Sequence, residues 1–268
     1  MKKVSLYLLV HDEPEGIKEL TGTFRRQSES RFDVIALIPP DLSPPTKHMC
    51  EKVAKEIHVV EDGDAGSLIN NLELSNNDDI VVVLDSGFMP SNQVWLKYLL
   101  EGFNEEECGI VIGRLAHDLY TNWFIQNDFK LAEENMKNGE IAPYYFQFGG
   151  FAVKTDILRK TPFPKGGINE FALRWMLLNP GPVRFEKNVV TACLDAISVD
   201  CFVSSYSRLS RETNGLGKPF RESLKLFFKG SGRDIALMWE KKMPFWIFFS
   251  LYLRFRQAKG FLFPPKII

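Results

Sequence analysis

The chain has 268 residues, of which 45% are apolar and 25% charged, with a net charge of −1. That length and mix suit a single α/β domain with an appended segment and exclude a disordered or fibrous chain. The four cysteines, Cys50, Cys108, Cys193 and Cys201, are scattered; without a C-x-x-C pair or a His at ligand spacing they exclude a disulfide framework and a zinc site, and read as reduced thiols of a cytoplasmic protein.

In chain order, residues 4–10 (VSLYLLV) read as a first buried strand. The run is too short for a signal peptide and meets His11-Asp12-Glu13 with no small-residue cleavage site. A polar loop to Gly16 leads into a helix over 17–26. Residues 32–38 form a second strand, ended by Pro39-Pro40. A helix over 46–55, a short strand over 56–60 and a helix over 66–74 follow. Residues 80–84 (IVVVL) are a β-branched run, the pattern of a central strand buried on both faces. A helix is expected over 95–103 and a strand over 108–114. Residues 115–147 are poorly patterned. A bend into a strand follows at 148–153, then a helix over 171–178 and a late strand or hairpin over 183–192.

Strands alternating with helices predict parallel βαβ units wound into one sheet. Ligands bind such sheets beyond the carboxyl ends of the strands. That singles out His11-Asp12-Glu13, residues 39–41, residues 61–64 and Asp85-Ser86-Gly87. Asp85 at the tip of an apolar strand suits coordination of Mg²⁺ or Mn²⁺ on nucleotide phosphates, since these hard ions prefer oxygen ligands. An ordinary turn with Ser86-Gly87 accounts for the same residue.

These segments together resemble the family 2 glycosyltransferases of the GT-A fold. VSLYLLVHDE at 4–13 is similar to that family's first strand and loop, of the form VSVVIPTYNE. Residues 63–72 resemble its GKAGALNAGL helix start, and VLDSGFMPSNQVWLKYLLEGF resembles its FLDADDxPxxxWLxxLLxxF segment. Further on, FGGFAVKTDILRKTPFPKGGINEFALRWML is similar to its GGxxAxRRexLxxxGgFde segment and the acidic motif and helix after it. Order and spacing agree over about residues 4–195.

The resemblance implies a nucleotide-diphospho-sugar transferase fold over 1–206: a mixed, mainly parallel sheet flanked by helices. It implies transfer of a sugar from a nucleotide-diphosphate donor to a hydroxyl acceptor, with inversion, in surface glycan or lipid-linked saccharide assembly. His11, Asp12, Glu13, Gly63, Gly66, Asp85, Ser86, Gly149 and Gly150 would hold the nucleotide sugar. Asp85 would bind the divalent metal, and Glu170 would be the general base. Arg208 and Arg211 are candidates to close over the diphosphate, because forked guanidinium groups match phosphate oxygens. The chain departs from the family pattern at three places. The last D-x-D position is Gly87, Ile38-Pro39 replace a pair of Asp residues, and Asn169-Glu170 stand for the Glu-Asp base motif. A non-catalytic relative that binds a nucleotide sugar is the alternative these departures leave open.

Other chemistries lack their residues. The histidines form no cluster, Ser67 and Ser86 have no His partner for a hydrolase triad, and no P-loop occurs. A nucleotidyltransferase would need a Gly-rich basic loop after the first strand. No nucleic-acid-binding motif accompanies the basic residues.

The tail differs from the body. Residues 208–268 carry 13 Lys and Arg against 4 Asp and Glu, a net of +9, and 9 of the 22 phenylalanines. The rest of the chain is net −10. A basic, aromatic helical extension over 207–268 suits the inner face of an anionic membrane. Packing on the catalytic domain, or on a second copy in a homo-oligomer, is the alternative. No stretch has the ~20 apolar residues that span a bilayer.

Overall fold

The computed structural model describes residues 3–29, 31–61, 64–75, 78–104, 108–116, 121–137, 150–164, 183–193, 199–200, 202–203 and 219–263. Its first half builds a parallel block from β1 (Val4–Leu9), β2 (Asp33–Ile38), β3 (Glu56–Val59) and β4 (Ile80–Asp85), in the order β3-β2-β1-β4. The crossovers are α1 (Pro14–Arg25), α2 (Pro44–Val53) and α3 (Ala65–Ser75). In β1 and β4 all but the last residue are buried, as continuous apolar runs in a parallel sheet should be. Helix α1 buries Ile17, Leu20, Thr23 and Phe24, one helical face. Both α1 and α2 start earlier than the apolar pattern suggested, at Pro14 and Pro44. Proline suits the first helical turn because its missing N–H has no acceptor there.

Beyond β4 the sheet turns mixed. It continues with β7 (Gly150–Lys154), β6 (Ile110–Ala116), β8 (Val183–Cys193) and β5 (Phe88–Pro90). β7 runs antiparallel to both β4 and β6, β8 is parallel to β6, and β5 is antiparallel to β8. The late segment is therefore one strand, with a register shift opposite Gly113/Arg114. There a Cβ on Gly113 would come within 2.6 Å of the Val189 carbonyl, so only glycine admits the close approach. Helix α4 (Trp95–Glu101) buries Trp95, Leu96 and Leu99. Its start is held by buried Gln27, which accepts the Leu96 N–H at 3.1 Å and donates to the Asn92 carbonyl at 2.9 Å. The short α6 (Thr155–Lys160) follows β7.

One segment differs from expectation. Residues 123–137, within the stretch without pattern, form helix α5 (Trp123–Lys137). Its buried face includes Phe124, Ile125 and Phe129, but also Asp128, fully buried. A charged residue in the apolar stripe hid the helical period. The helix expected at 171–178 lies outside the described residues.

The chain divides into two compact units, Met1–Asp118 with Gln147–Asp195, and Leu119–Phe146 with Ala196–Ile268. The second unit contains α5, α7 (Pro219–Glu240) and α8 (Ile247–Leu262). Helices α7 and α8 run antiparallel: Ser223 Oγ donates to the Ala258 carbonyl at 3.0 Å, and Ser250 Oγ to Asp234 at 2.6 Å. Arg254 joins all three helices. Its guanidinium forks onto Asp234 (2.6 and 2.8 Å), donates to Asp128 (3.0 Å) and reaches Gln257 (2.8 Å), while Arg233 also pairs with Asp128. Burial works against the Arg254 charge, but Asp128 and Asp234 outweigh it and push its pKa up. Gly230 makes room, since a Cβ there would lie 2.8 Å from Arg254 Cδ.

Candidate functional site

From β1 the chain moves outward through β2 to β3, then returns to the opposite side of β1 for β4. The crevice at the carboxyl ends of β1 and β4 is therefore the topological switch point, where ligands of open α/β sheets bind. Leu9 and Asp85 are register partners, so the two strands end level. Two hydrogen bonds lock those ends together: the Ser86 N–H donates to the Leu9 carbonyl, and the His11 N–H to Ser86 Oγ, each at 2.8 Å.

This lock sets His11 against Asp85. The imidazole Nε2 lies 2.9 Å from one Asp85 carboxylate oxygen and 3.0 Å from the other. Asp85 Oδ1 also accepts the Gly87 N–H at 2.8 Å. The hydrogen bond to Asp85 raises the His11 pKa; partial burial opposes it, and the charges of Asp85 and Glu13 add to it.

The neighbouring residues serve the loop around this pair. Asp12 Oδ1 accepts hydroxyl hydrogens from Ser43 (2.5 Å) and Thr46 (2.6 Å), which holds its carboxyl below the usual range and ties the β1 loop to the start of α2. Glu13 caps α1: its carbonyl accepts the Ile17 N–H at 3.2 Å, and its own N–H donates to the His11 carbonyl at 2.8 Å. Gly66 is buried in the first turn of α3, where Asp64 Oδ1 accepts the Ser67 N–H at 3.1 Å. Gly150 starts β7 among protein atoms, where an added Cβ would stand 3.1–3.3 Å from Trp95, Leu84 and the Val83 carbonyl. Gly63, Gly149, Glu170, Arg208 and Arg211 lie outside the described residues.

Some contacts have no signal in the sequence. Asn70 on α3 makes a two-way bond with the Phe163 backbone, accepting its N–H at 2.9 Å and donating to its carbonyl at 3.0 Å. It thereby anchors the chain just after α6. On β1, Tyr7 Oη donates to Glu73 Oε1 at 2.6 Å, and Ser5 bonds Asp78, which also pairs with Lys3. Burial pushes the Glu73 carboxyl up, against the hydrogen bond from Tyr7. A depression of about 410 Å³ lined by Phe24, Arg25, Phe32 and Lys52 lies at the amino end of β2, away from the crevice.

Asp85 would offer a divalent ion a carboxylate oxygen. His11 Nε2 would join it only as the neutral imidazole, its lone pair on the ion in place of the hydrogen bond to Asp85. Among the described residues no group of three or more His, Cys, Asp and Glu converges.

The fold is that of the GT-A glycosyltransferases. The mannosyltransferase PcManGT from Pyrobaculum calidifontis, solved with GDP-Man and Mn²⁺, matches over 99% of this chain and 88% of its own, with a TM-score of 0.67 and 14% identity. Glucosyl-3-phosphoglycerate synthase from Mycobacterium tuberculosis, with Mn²⁺, UDP-Glc and phosphoglyceric acid, covers 81% of each chain with a TM-score of 0.60 and 14% identity. TarS from S. aureus with UDP-GlcNAc covers 78% of this chain and 66% of its own, with a TM-score of 0.55 and 14% identity. No protein-family model and no curated protein sequence matches the chain.

Proposed function

We propose that the chain is a glycosyltransferase, a divergent relative of family 2, that moves a sugar from a nucleotide-diphosphate donor to a hydroxyl acceptor. The observation that carries this reading is Asp85 meeting His11 at the switch point of a GT-A sheet. The donor diphosphate lies over that crevice, where Asp85, joined by neutral His11, would hold Mn²⁺ or Mg²⁺. When bound, the ion neutralises charge on the departing nucleoside diphosphate. His11, Ser86, Asp12 and Glu13 shape the loop beside the nucleotide, and Arg208 and Arg211 cover the phosphates.

Glu170 takes the proton from the acceptor hydroxyl as the acceptor oxygen bonds to the anomeric carbon. The bond from that carbon to the diphosphate oxygen breaks on the opposite face, so configuration inverts. The acceptor is a glycan or a lipid-linked saccharide, met at the cytoplasmic face of a membrane to which residues 207–268 attach the chain. A protein that binds a nucleotide sugar without transferring it is the second reading, favoured by Gly87 where the D-x-D motif has its last Asp.

Calorimetry with GDP and UDP, each with and without Mn²⁺, tests the donor site. We expect binding that needs the metal. Equal affinity without it would remove the ion from the mechanism, and no binding under any condition would overturn the transferase reading. Metal-dependent binding with no turnover on any sugar donor would favour the second reading.

A further inference from the structure

The α7–α8 hairpin exposes large apolar side chains in ordered rows. On α7 these are Phe220, Leu224, Phe228, Ile235 and Trp239. At 3.6 residues per turn they fall within an arc of about 100° and run roughly 28 Å along the helix. On α8, Phe248, Leu251, Tyr252 and Phe255 are exposed in the same manner, opposite the face that carries buried Leu253, Arg254 and Gln257. The turn between the helices adds Met243 and Phe245. Trp239, Phe245 and Phe248 are 83, 92 and 80% exposed, a clustering of bulky aromatics that marks an interaction surface.

The charges identify the partner. Residues 219–263 contain nine Lys and Arg against three Asp and Glu. Arg233 and Arg254 are engaged in the ionic cluster with Asp128 and Asp234. Arg221, Lys225 and Lys229 are exposed and, by helical spacing, flank the apolar row of α7, while Lys241 and Lys242 are exposed at the turn. Aromatics in a row with cations along its edge suit the interface of an anionic bilayer. A second copy would bring like charges against each other.

We infer that the α7–α8 hairpin lies flat in the headgroup region of an anionic bilayer, with Trp239, Phe245 and Phe248 inserted among the acyl chains. This rests on the membrane placement in the proposed function, not on its transfer chemistry. The apolar row of α7 covers most of its length, so insertion involves the side of the hairpin as well as its turn. No helix among the described residues is long and apolar enough to cross a membrane.

The test uses the full chain, sedimented with phosphatidylglycerol/phosphatidylcholine vesicles and with phosphatidylcholine vesicles alone. We expect at least ~10-fold tighter binding to the anionic vesicles, weakened by salt as the charge component is screened. Brominated acyl chains should quench the Trp239 share of the emission, defined by difference from Trp239→Phe. The triple variant Trp239→Ser, Phe245→Ser, Phe248→Ser should lose vesicle binding at least ~10-fold while keeping its circular dichroism. Equal binding to both vesicles, no quenching, or an unaffected triple variant would overturn the inference. So would a dimer that the triple variant dissociates in a protein that ignores vesicles. Vesicle binding by a chain that binds no nucleotide would leave the inference standing and sink the transferase reading.

Discussion

Asp85 and His11 meet because β1 and β4 end level and Ser86 ties the two ends together. Asp85→Asn keeps the shape of the turn but removes the charge a metal needs. It should weaken Mn²⁺-dependent nucleotide binding by about 10-fold or more and leave the unfolding transition in place, as calorimetry and circular dichroism can check. His11→Asp makes the pair all-oxygen, so nucleotide affinity should shift in favour of Mg²⁺ over Co²⁺. An unchanged metal preference would remove His11 from the ligand set. Glu73 bears on stability. Its folded pKa lies above the ordinary 4.5, chiefly through burial, so the native state keeps a proton that the unfolded chain has already released. Stability from this group is therefore present at low pH and falls as pH rises from the unfolded pKa through the folded one. Glu73→Gln, which can still accept from Tyr7, should flatten that fall in urea titrations at pH 5 and pH 8.

At the level of elements, the second unit depends on an ionic cluster at the junction of three helices. Among the described residues Arg254 pairs with Asp234 and shares Asp128 with Arg233. Removing one partner leaves buried charge without its counterion, which costs about 3–5 kcal/mol. Arg254→Met should lose stability on that scale, with faster hydrogen exchange in α5, α7 and α8. Replacing Arg254, Asp128 and Asp234 together by apolar residues should recover much of the loss, because the cost lies in the unpaired charge. The cluster also explains why α5 was illegible: Asp128 reads as a solvent-facing residue until Arg254, 126 positions later, covers it.

For the whole molecule, the tail is more than an appendage. Ending the chain at Ser207 removes both α7 and α8, and with them the partners of Phe124 and Asp128 on α5. Such a truncation should aggregate or melt early in a thermal scan, whereas surface substitutions on the hairpin leave the fold intact. Turnover tests the other end of the proposal. Glu170→Gln preserves size without basicity and should reduce transfer by ~10²-fold or more, with donor affinity barely changed. Retained turnover would move the base role to another carboxylate, such as Asp156 or Asp195.

The sheet's first half was legible because its information is local. Residues 4–9, 33–38 and 80–85 are apolar runs bounded by polar turns, and a strand buried on both faces has no other composition open to it. Asp85 stood out because a carboxylate at the end of such a run is costly to bury and marks a strand tip. The basic, aromatic character of the tail was equally plain from composition. Tertiary structure decided what depends on distant partners: the antiparallel insertion of β7 between β4 and β6, helix α5, and Asn70 holding Phe163 from 93 residues away. It also set His11 on Asp85, 74 positions apart in the chain. A side chain's role in these cases is set by whatever the fold brings to its hydrogen-bonding atoms, and sequence spacing carries no record of that.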